Sequence, residues 1–588
     1  MNKAEGYSGA FACWVVAGVF AVGLLILAVK LKEVQIEDSA DYKYASARQS
    51  MRRVQIGGER GRIVDRNGIV LADNRESVSI VCNASAFRAR TWEETVSRIA
   101  LAITNLSERI GKAVVLPERA IRRHVNQSLA MPLHVWNDVD HETLAKFFEN
   151  EQNFPGFGVS KGFERVYPQG SLASHLIGYV GRDYGEDEAG DEKFNFRIPE
   201  LRGRSGIEVY YDSFLRGVPG EKRLIVDARG FSVDEWTVTE GSRGLDLELS
   251  IDVKIQQEAE RQLSGVCGAC VVIDPRNGEV LAMASSPSYD PNIFVPRLRP
   301  ELYRKYSTDP AKPLLNRAVG GTYAPGSTFK PVTALAGLAM GFPAREQYYC
   351  EGVFRLGGMN LRCASRWGHG MVDMRKAIME SCNPYFCNLG VDVGTNAIIH
   401  VARTLGLGEK TGVDFGIDLK GSIPDAQWKM KTYGEQWFPG DVAQMSIGQG
   451  MLLVTPMQMA LVAGAIGTGK LVVPRIKRDL PVVCRDLPFP KKHLSVVREG
   501  MYMVVNGKDS ERGTGWRGGE GLEVKVCGKT GTAEIGRGER RRKNAWFIAY
   551  APAEDPVVAV AIVVENGDSG GATAAPKVCR VLKAVFDD

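Results

Sequence analysis

The amino-acid sequence predicts an α+β fold behind a single N-terminal transmembrane helix, on three observations. Residues 11–29 hold no charge, helical and strand-like patterns are interspersed from residue 245 onward, and two strand candidates are joined by a tight turn, as antiparallel neighbours are. The chain of 588 residues is about four times a typical domain length, so more than one domain is expected. With 44% hydrophobic and 24% charged residues its composition is globular, which excludes disordered, collagenous and coiled-coil classes. The 74 lysines and arginines barely exceed the 69 aspartates and glutamates, an excess too small to point to a nucleic-acid partner. Eleven cysteines are too sparse for a disulfide scaffold.

Residues 11–29 (FACWVVAGVFAVGLLILAV) would span roughly 29 Å as a helix, close to the hydrocarbon thickness of a bilayer. A cleaved signal peptide has a shorter apolar core and a small-x-small site after it. Here Lys30-Leu31-Lys32-Glu33 follows, so the segment reads as an uncleaved anchor behind a short cytoplasmic tail, residues 1–10. Lysines on both flanks leave the orientation unsettled by charge bias. Residues 30–244 are rich in arginine, glycine and polar turns, with short helical stretches such as 95–103, and form a first extramembrane domain. The texture changes near 240–245. Residues 245–251 (LDLELSI) alternate like a strand, 253–263 read as an amphipathic helix, and 269–273 and 280–284 flank the turn Pro275-Arg276-Asn277-Gly278. Residues 245–588 are therefore a second domain, an antiparallel sheet flanked by helices and long enough for a large core.

Ser327 is the only serine with a lysine three positions later, in Ser327-Thr328-Phe329-Lys330. Composition alone would produce about two such pairs in a chain this long, so the setting decides. Tyr323-Ala324-Pro325-Gly326 signals a turn, and residues 332–340 are a good helical run ended by Gly341 and Pro343. Pro331 cannot lie deep in a helix, so the helix must begin close to Ser327. That puts the hydroxyl at the positive end of the helix dipole, with Lys330 on the same face. A lysine serves as a base only when neutral, which burial or a neighbouring cation achieves. The bland alternative is a solvated helix start.

Two further motifs support a nucleophile. Ser381-Cys382-Asn383 is the only Ser-x-Asn, placed between a helical stretch at 375–380 and Pro384; a second hydroxyl relays protons and an amide holds a peptide carbonyl. Lys-Thr-Gly occurs twice. Lys410-Thr411-Gly412 follows a helix end and reads as a surface turn, whereas Lys529-Thr530-Gly531-Thr532 continues residues 522–527, which alternate as a strand does. A strand edge offers its backbone to an extended peptide, Lys529 and Thr530 suit a carboxylate, and Gly531 permits close approach of an acyl chain.

In this order, with 54 positions from Ser327 to Ser381 and 148 more to Lys529, the three motifs resemble the signature of penicillin-recognising acyl-serine enzymes. Asn316-Arg317-Ala318, Ser446-Ile447-Gly448-Gln449-Gly450, Thr455-Pro456-Met457-Gln458 and Ala545-Trp546-Phe547 are similar to class B penicillin-binding proteins, as are Arg60-Gly61-Arg62, Tyr167-Pro168, His175-Leu176-Ile177-Gly178-Tyr179 and Gly206-Ile207-Glu208 upstream. Trp437-Phe438-Pro439-Gly440-Asp441 resembles the elongation branch (penicillin-binding protein 2) more than the division branch, and Asn544 departs from a position where relatives often carry histidine. The resemblance implies an elongated pedestal domain at 30–244 and a penicillin-binding transpeptidase domain at 245–588. It implies that Ser327 attacks the penultimate D-alanine carbonyl of a peptidoglycan stem peptide and that Lys330 takes its proton. Ser381 would protonate the departing D-alanine, Asn383 orient the substrate, and Lys529 and Thr530 hold the terminal carboxylate. The amides of Ser327 and Thr532 would form an oxyanion hole, each donor being worth roughly 3 to 4 kcal/mol. The implied partners are nascent glycan strands, the membrane and a RodA-like glycan polymerase of the SEDS family.

Cys350, Cys363, His369 and Cys382 fall within 33 residues, a donor set suited to one structural tetrahedral zinc that would steady the loop of Ser381. A Cys350–Cys363 disulfide or unpaired buried thiols are the alternatives. Cys267 and Cys270 read as core, and the basic run 537–543 as a solvated hairpin tip. A serine β-lactamase would need a matched residue to activate water, and none is found. A bifunctional synthase would need room for another domain. A division-specific transpeptidase and a non-catalytic β-lactam sensor are the remaining alternatives.

Overall fold

The computed structural model describes residues 5–39, 50–114, 116–183, 194–198, 200–295, 299–507, 512–536 and 542–587. The anchor is a helix over Glu5–Lys32 that continues as a short wider turn, Glu33–Glu37. Its apolar side chains, among them Phe11, Trp14, Leu24 and Leu25, are exposed all round. Such a surface is at rest in lipid rather than water. Among the described residues this is the one helix long and apolar enough to cross a membrane.

The first extramembrane domain is built on two sheets, beside a short antiparallel pair of Val180–Asp183 with Glu200–Gly203. One runs in the order Ser232–Thr239, Gly220–Val226, Met51–Ile56, Phe196–Arg197. The other is built on the long strand Val70–Cys82, paired antiparallel to Phe157–Val166 from Asp73↔Val166 to Cys82↔Phe157. Helix Trp92–Ile110 extends well past the predicted 95–103 at both ends. Thr91 caps it by accepting the Glu94 amide, Gly111 closes it in the left-handed conformation, and Val96, Ile99, Ile103, Leu106 and Ile110 bury one face.

Residues far apart in sequence meet at the base of this domain. The wholly buried Glu208 accepts from Arg60 Nε and from Arg165 Nε, each at 2.7 Å. Arg60 also reaches Asp212 at 2.8 Å. Burial alone would raise the Glu208 pKa, but the Arg165 and Arg60 guanidinium groups hold it below the ordinary carboxylate value. Nearby, the alternation at 245–251 holds in part: Leu247, Leu249 and Ile251 are buried, but Leu245 is exposed and Ser250 buried, and only Leu247–Glu248 forms a strand, parallel to Ile63–Val64. That short strand is the edge of the five-stranded sheet, and beyond it Leu249 makes a lone bridge to Lys477, so the segment is a seam that joins the first domain's sheet to the second domain.

The second domain contains a five-stranded antiparallel sheet: β1 Gly268–Ile273, β2 Val280–Ser286, β3 Cys527–Ile535, β4 Arg542–Ala551 and β5 Val558–Glu565, in the order β2-β1-β5-β4-β3. The predicted hairpin is β1–β2. Helices Val253–Leu263 and Ala575–Phe586 pack on one face and Pro456–Thr468 on the other. Pro456–Thr468 is apolar on every side and buried from Pro456 to Gly467, which is why it shows no amphipathic stripe. Residues 522–526, read as strand from their alternation, are irregular. Cys527 pairs with Tyr550 and β4 ends at Ala551 before Pro552, so the ladder stops there, and past it only single bonds remain: the Ala553 amide to Lys525 O at 2.8 Å and Asn506 Nδ2 to Val526 O at 2.7 Å. Of the predicted basic tip, Arg542 and Lys543 are exposed and 537–541 lie outside the described residues. Cys270 is core, whereas Cys267 is only half-buried.

Candidate active site

The turn Gly326–Phe329 is a tight helical turn carrying Ser327, and the α-helix Lys330–Ala339 follows at once. Pro331 sits in its first turn, where the missing amide costs nothing. The turn is pinned from behind. The Gly326 amide donates to Gly448 O at 2.8 Å, and Trp546 Nε1 of β4 donates to Ala324 O at 3.1 Å. Thr333, one turn into the helix, donates to Ser446 O at 2.8 Å.

Ser381 ends the loop after helix Met374–Met379, and its φ of 56° is left-handed, an uncommon and strained choice for a residue with a side chain. The next helix begins at Asn383 with Pro384 in its first turn and Cys382 at its cap. Asn383 Nδ2 donates to Arg362 O at 2.7 Å, which fixes the amide so that Oδ1 faces Lys330.

Lys330 is fully buried, and its amine donates to Ser381 O at 2.6 Å, to Asn383 Oδ1 at 2.7 Å and to Ser381 Oγ at 3.3 Å. Burial pushes its pKa down to about 8, against the opposing pull of nearby thiols. Lys529 approaches from β3, equally buried, and donates to Ser381 Oγ at 2.9 Å and to its neighbour's carbonyl, Thr530 O, at 2.9 Å. Burial and the Lys330 charge lower its pKa well below the ordinary lysine value. Ser381 Oγ is thus the meeting point of two lysines.

One expected contact is absent. Among the described residues no hydrogen bond joins Lys330 to the part-exposed Ser327 hydroxyl. The close carbonyl-type acceptors of Ser381 and Asn383 draw the amine instead, and catalytic hydrogen bonds commonly tighten only with substrate bound. Gly531 also differs from expectation. A Cβ there would lie 2.8 Å from Thr328 Cγ2 and 3.0 Å from Pro325 O, so the missing side chain lets β3 nest against the nucleophile turn. Thr532 Oγ1 accepts from the Gly570 amide at 3.3 Å, and Thr532 O from Gln449 at 3.4 Å. The other Lys-Thr-Gly is a turn in which Asp418 accepts from Thr411 and the Gly412 amide.

Beside Ser381, the ligand atoms of Cys350, Cys363, His369 and Cys382 all lie within 4.8 Å of one another. His369 Nδ1 stands 3.4 Å from Cys363 Sγ and 3.7 Å from Cys350 Sγ. A tetrahedral zinc with Zn–S near 2.3 Å and Zn–N near 2.0 Å has S···N edges of about 3.5 Å, so the donor set fits that ion. Cys350 and Cys363 are free thiols, not a disulfide. Glu380 lies 3.8 Å from His369 Nε2, which leaves Nδ1 turned to the sulfurs. Sequence reasoning missed Arg362 O and Thr514, which lie outside any motif.

Residues 268–585 match the penicillin binding protein transpeptidase domain, and residues 55–249 the penicillin-binding protein dimerisation domain. The chain is 33% identical to peptidoglycan D,D-transpeptidase MrdA of Acinetobacter baumannii, over 97% of this chain and 86% of that protein. Among solved structures it resembles penicillin-binding protein PBP2 in complex with MreC from Helicobacter pylori, at 29% identity and a TM-score of 0.78, covering 91% of this chain and 99% of that one. It also resembles a chain of a peptidoglycan synthase complex that coordinates polymerization and crosslinking, at 27% identity and a TM-score of 0.72, covering 98% of each. Its two matched domains and its full-length likeness to PBP2-type transpeptidases make this chain a member of the penicillin-binding protein transpeptidase family.

Proposed function

We propose that the chain is an elongation-branch peptidoglycan D,D-transpeptidase working through an acyl-serine intermediate, and the carrying observation is Ser381 Oγ held between Lys330 and Lys529 beside the Ser327 turn. A neutral Lys330 has two N–H groups and one lone pair. Ser381 O and Asn383 Oδ1 can only accept, so they take both N–H groups and leave the lone pair for a hydroxyl. The amine then removes the Ser327 proton as Oγ attacks the penultimate D-alanine carbonyl. The amides of Ser327 and Thr532 stabilise the developing oxyanion. The C–N bond breaks as Ser381 delivers its proton to the departing D-alanine nitrogen and takes in its place the one Lys330 removed, while Lys529 and Thr530 hold the terminal carboxylate. An amine from a neighbouring strand then attacks the ester, and the proton it loses passes through Lys330 to the Ser327 oxygen as the ester bond breaks, completing the cross-link. A β-lactam forms the same ester and stays. Mass spectrometry after penicillin treatment should place a single penicilloyl adduct on Ser327. Ser327→Ala should abolish both the adduct and cross-linking of lipid II-derived glycan strands. An adduct on another residue, or adduct without cross-linking, would overturn the reading.

Three further assignments belong to it. The catalytic domain lies on the periplasmic side of the inner membrane, where its substrate is. Cys350, Cys363, His369 and Cys382 hold one structural zinc, which ties hairpin Val353–Arg362 to the Ser381–Asn383 loop. Elemental analysis should find one zinc per chain, and chelation or Cys363→Ser should lower both Tm and acylation; a metal-free chain with unchanged Tm would exclude it. The pedestal docks a RodA-like SEDS glycan polymerase, so the two should co-purify in mild detergent.

A further inference from the structure

Helix Met374–Met379 ends with carbonyls that have no donor within the helix. Met379 O is met by Thr514, from its amide at 3.4 Å and its hydroxyl at 3.2 Å. The same Thr514 Oγ1 lies 2.8 Å from Thr530 Oγ1 on β3, and either oxygen can donate. The Thr530 methyl faces Gly515, where a Cβ would come within 3.2 Å of it, so packing holds the rotamer and leaves the O–H free to turn. Each hydroxyl has one hydrogen. Two arrangements are therefore open: Thr530 donates to Thr514 while Thr514 donates to Met379 O, or Thr514 donates to Thr530 and the Thr530 hydrogen points away.

We propose that Thr514 is a positioning residue for carboxylate recognition, reversing the direction of its hydrogen bond to Thr530 when a carboxylate binds. This rests on the transpeptidase reading above. Without ligand, the Thr530 hydrogen is parked on Thr514. With a carboxylate in place, Thr530 donates to it, Thr514 turns its hydrogen onto Thr530 Oγ1, and Met379 O keeps the Thr514 amide. No polar group is left unpaired in either state. A hydroxyl that accepts from behind is a better donor in front, and an anionic acceptor gains most from this. A neutral ligand gives no such return, so the device discriminates for charge.

The test compares acylation of Ser327 in the full chain by benzylpenicillin and by its methyl ester, which lacks the charge. Thr514→Val should lower the second-order rate constant for the acid roughly tenfold, the scale of a hydrogen bond to a charged group, and leave the ester nearly unchanged. Thr514→Ser should retain the wild-type preference for the acid. Thr530→Val should lose it, and adding Thr514→Val to Thr530→Val should cost nothing more. If Thr514→Val does not fold, Thr514→Ala carries the same expectation. A wild-type acid-to-ester ratio in the Val or Ala variant overturns the inference, as does an equal loss with both probes, which would mark a packing role. If wild type is not acylated at Ser327 by the acid, the transpeptidase reading itself fails.

Discussion

Lys330 shows how much a single side chain can be asked to do. Its amine is buried, satisfied by two fixed carbonyl-type acceptors, and held near neutrality, so its protonation state should govern the reaction. Only the neutral form has a lone pair for the Ser327 proton. Acylation should therefore rise with pH and level off above about 8, the value to which burial pushes the group. Lys330→Met, which keeps the stem and removes the base, should slow acylation by roughly 10²- to 10⁴-fold and flatten that profile. Stopped-flow acylation from pH 6 to 10 measures both. The residue types and their order were legible because the chemistry needs them at short fixed spacings. The partner each side chain prefers was not: the helix face shared by positions 327 and 330 points toward a contact, but competing acceptors from a loop 51 to 53 positions away decide where the amine goes. Thr514 has no motif and is recognisable only through what it touches.

At the scale of elements, the Ser327 turn is placed by the sheet as much as by its own helix. Trp546 on β4 is fully buried, donates to Ala324 O, and meets the Tyr323 ring edge-on at 6.1 Å. Trp546→Phe would leave a buried carbonyl without its donor, at a cost of about 1 to 3 kcal/mol. The expected outcome is a lower Tm together with slower acylation, read by calorimetry and penicillin labelling; loss of stability with unchanged acylation would show that the brace does not reach the hydroxyl. Elements with strong local signals were readable in advance, as with the helix at Val253–Leu263, capped by Asp252, and the β1–β2 hairpin. Residues 245–251 and 522–526 were not. Both sequences alternate apolar and polar, but a strand also needs a neighbour to bond, and that neighbour is set by chain distant in sequence: only Leu247–Glu248 finds one, and Leu245 is exposed while Ser250 is buried.

For the whole molecule, one apolar core runs through the joint between the two extramembrane domains, from Leu71, Leu176 and Ile207 to Leu249 and Val253, and polar ties cross it as well. Tyr211 donates to Asp414 at 2.6 Å across it, and Glu208 with Arg60 and Arg165 lies just behind. Glu208→Gln would strand two buried guanidinium groups, costing about 3 to 5 kcal/mol. Because the Glu208 pKa is depressed in the fold, its stabilisation is present above 4.5, the ordinary value, and is lost as pH falls through the folded one. Wild type should thus lose Tm in acid while Glu208→Gln shows a shallower decline, measurable by scanning calorimetry from pH 3 to 7. In the sequence, Arg60 and Glu208 stand only within family-like stretches; that they meet Arg165 was not visible, since positions 60, 165 and 208 share no local pattern.

The position of β3 at the rim of its sheet has a cost that the anchor offsets. A rim left free to seize one stretched peptide will seize others, including the same rim on a second copy. A span through a two-dimensional sheet of lipid confines neighbouring copies to one plane and narrows the orientations in which they can meet. Freed into solution they tumble and can dock in any orientation. Soluble fragments cut after the anchor should accordingly be the more prone to stick to one another.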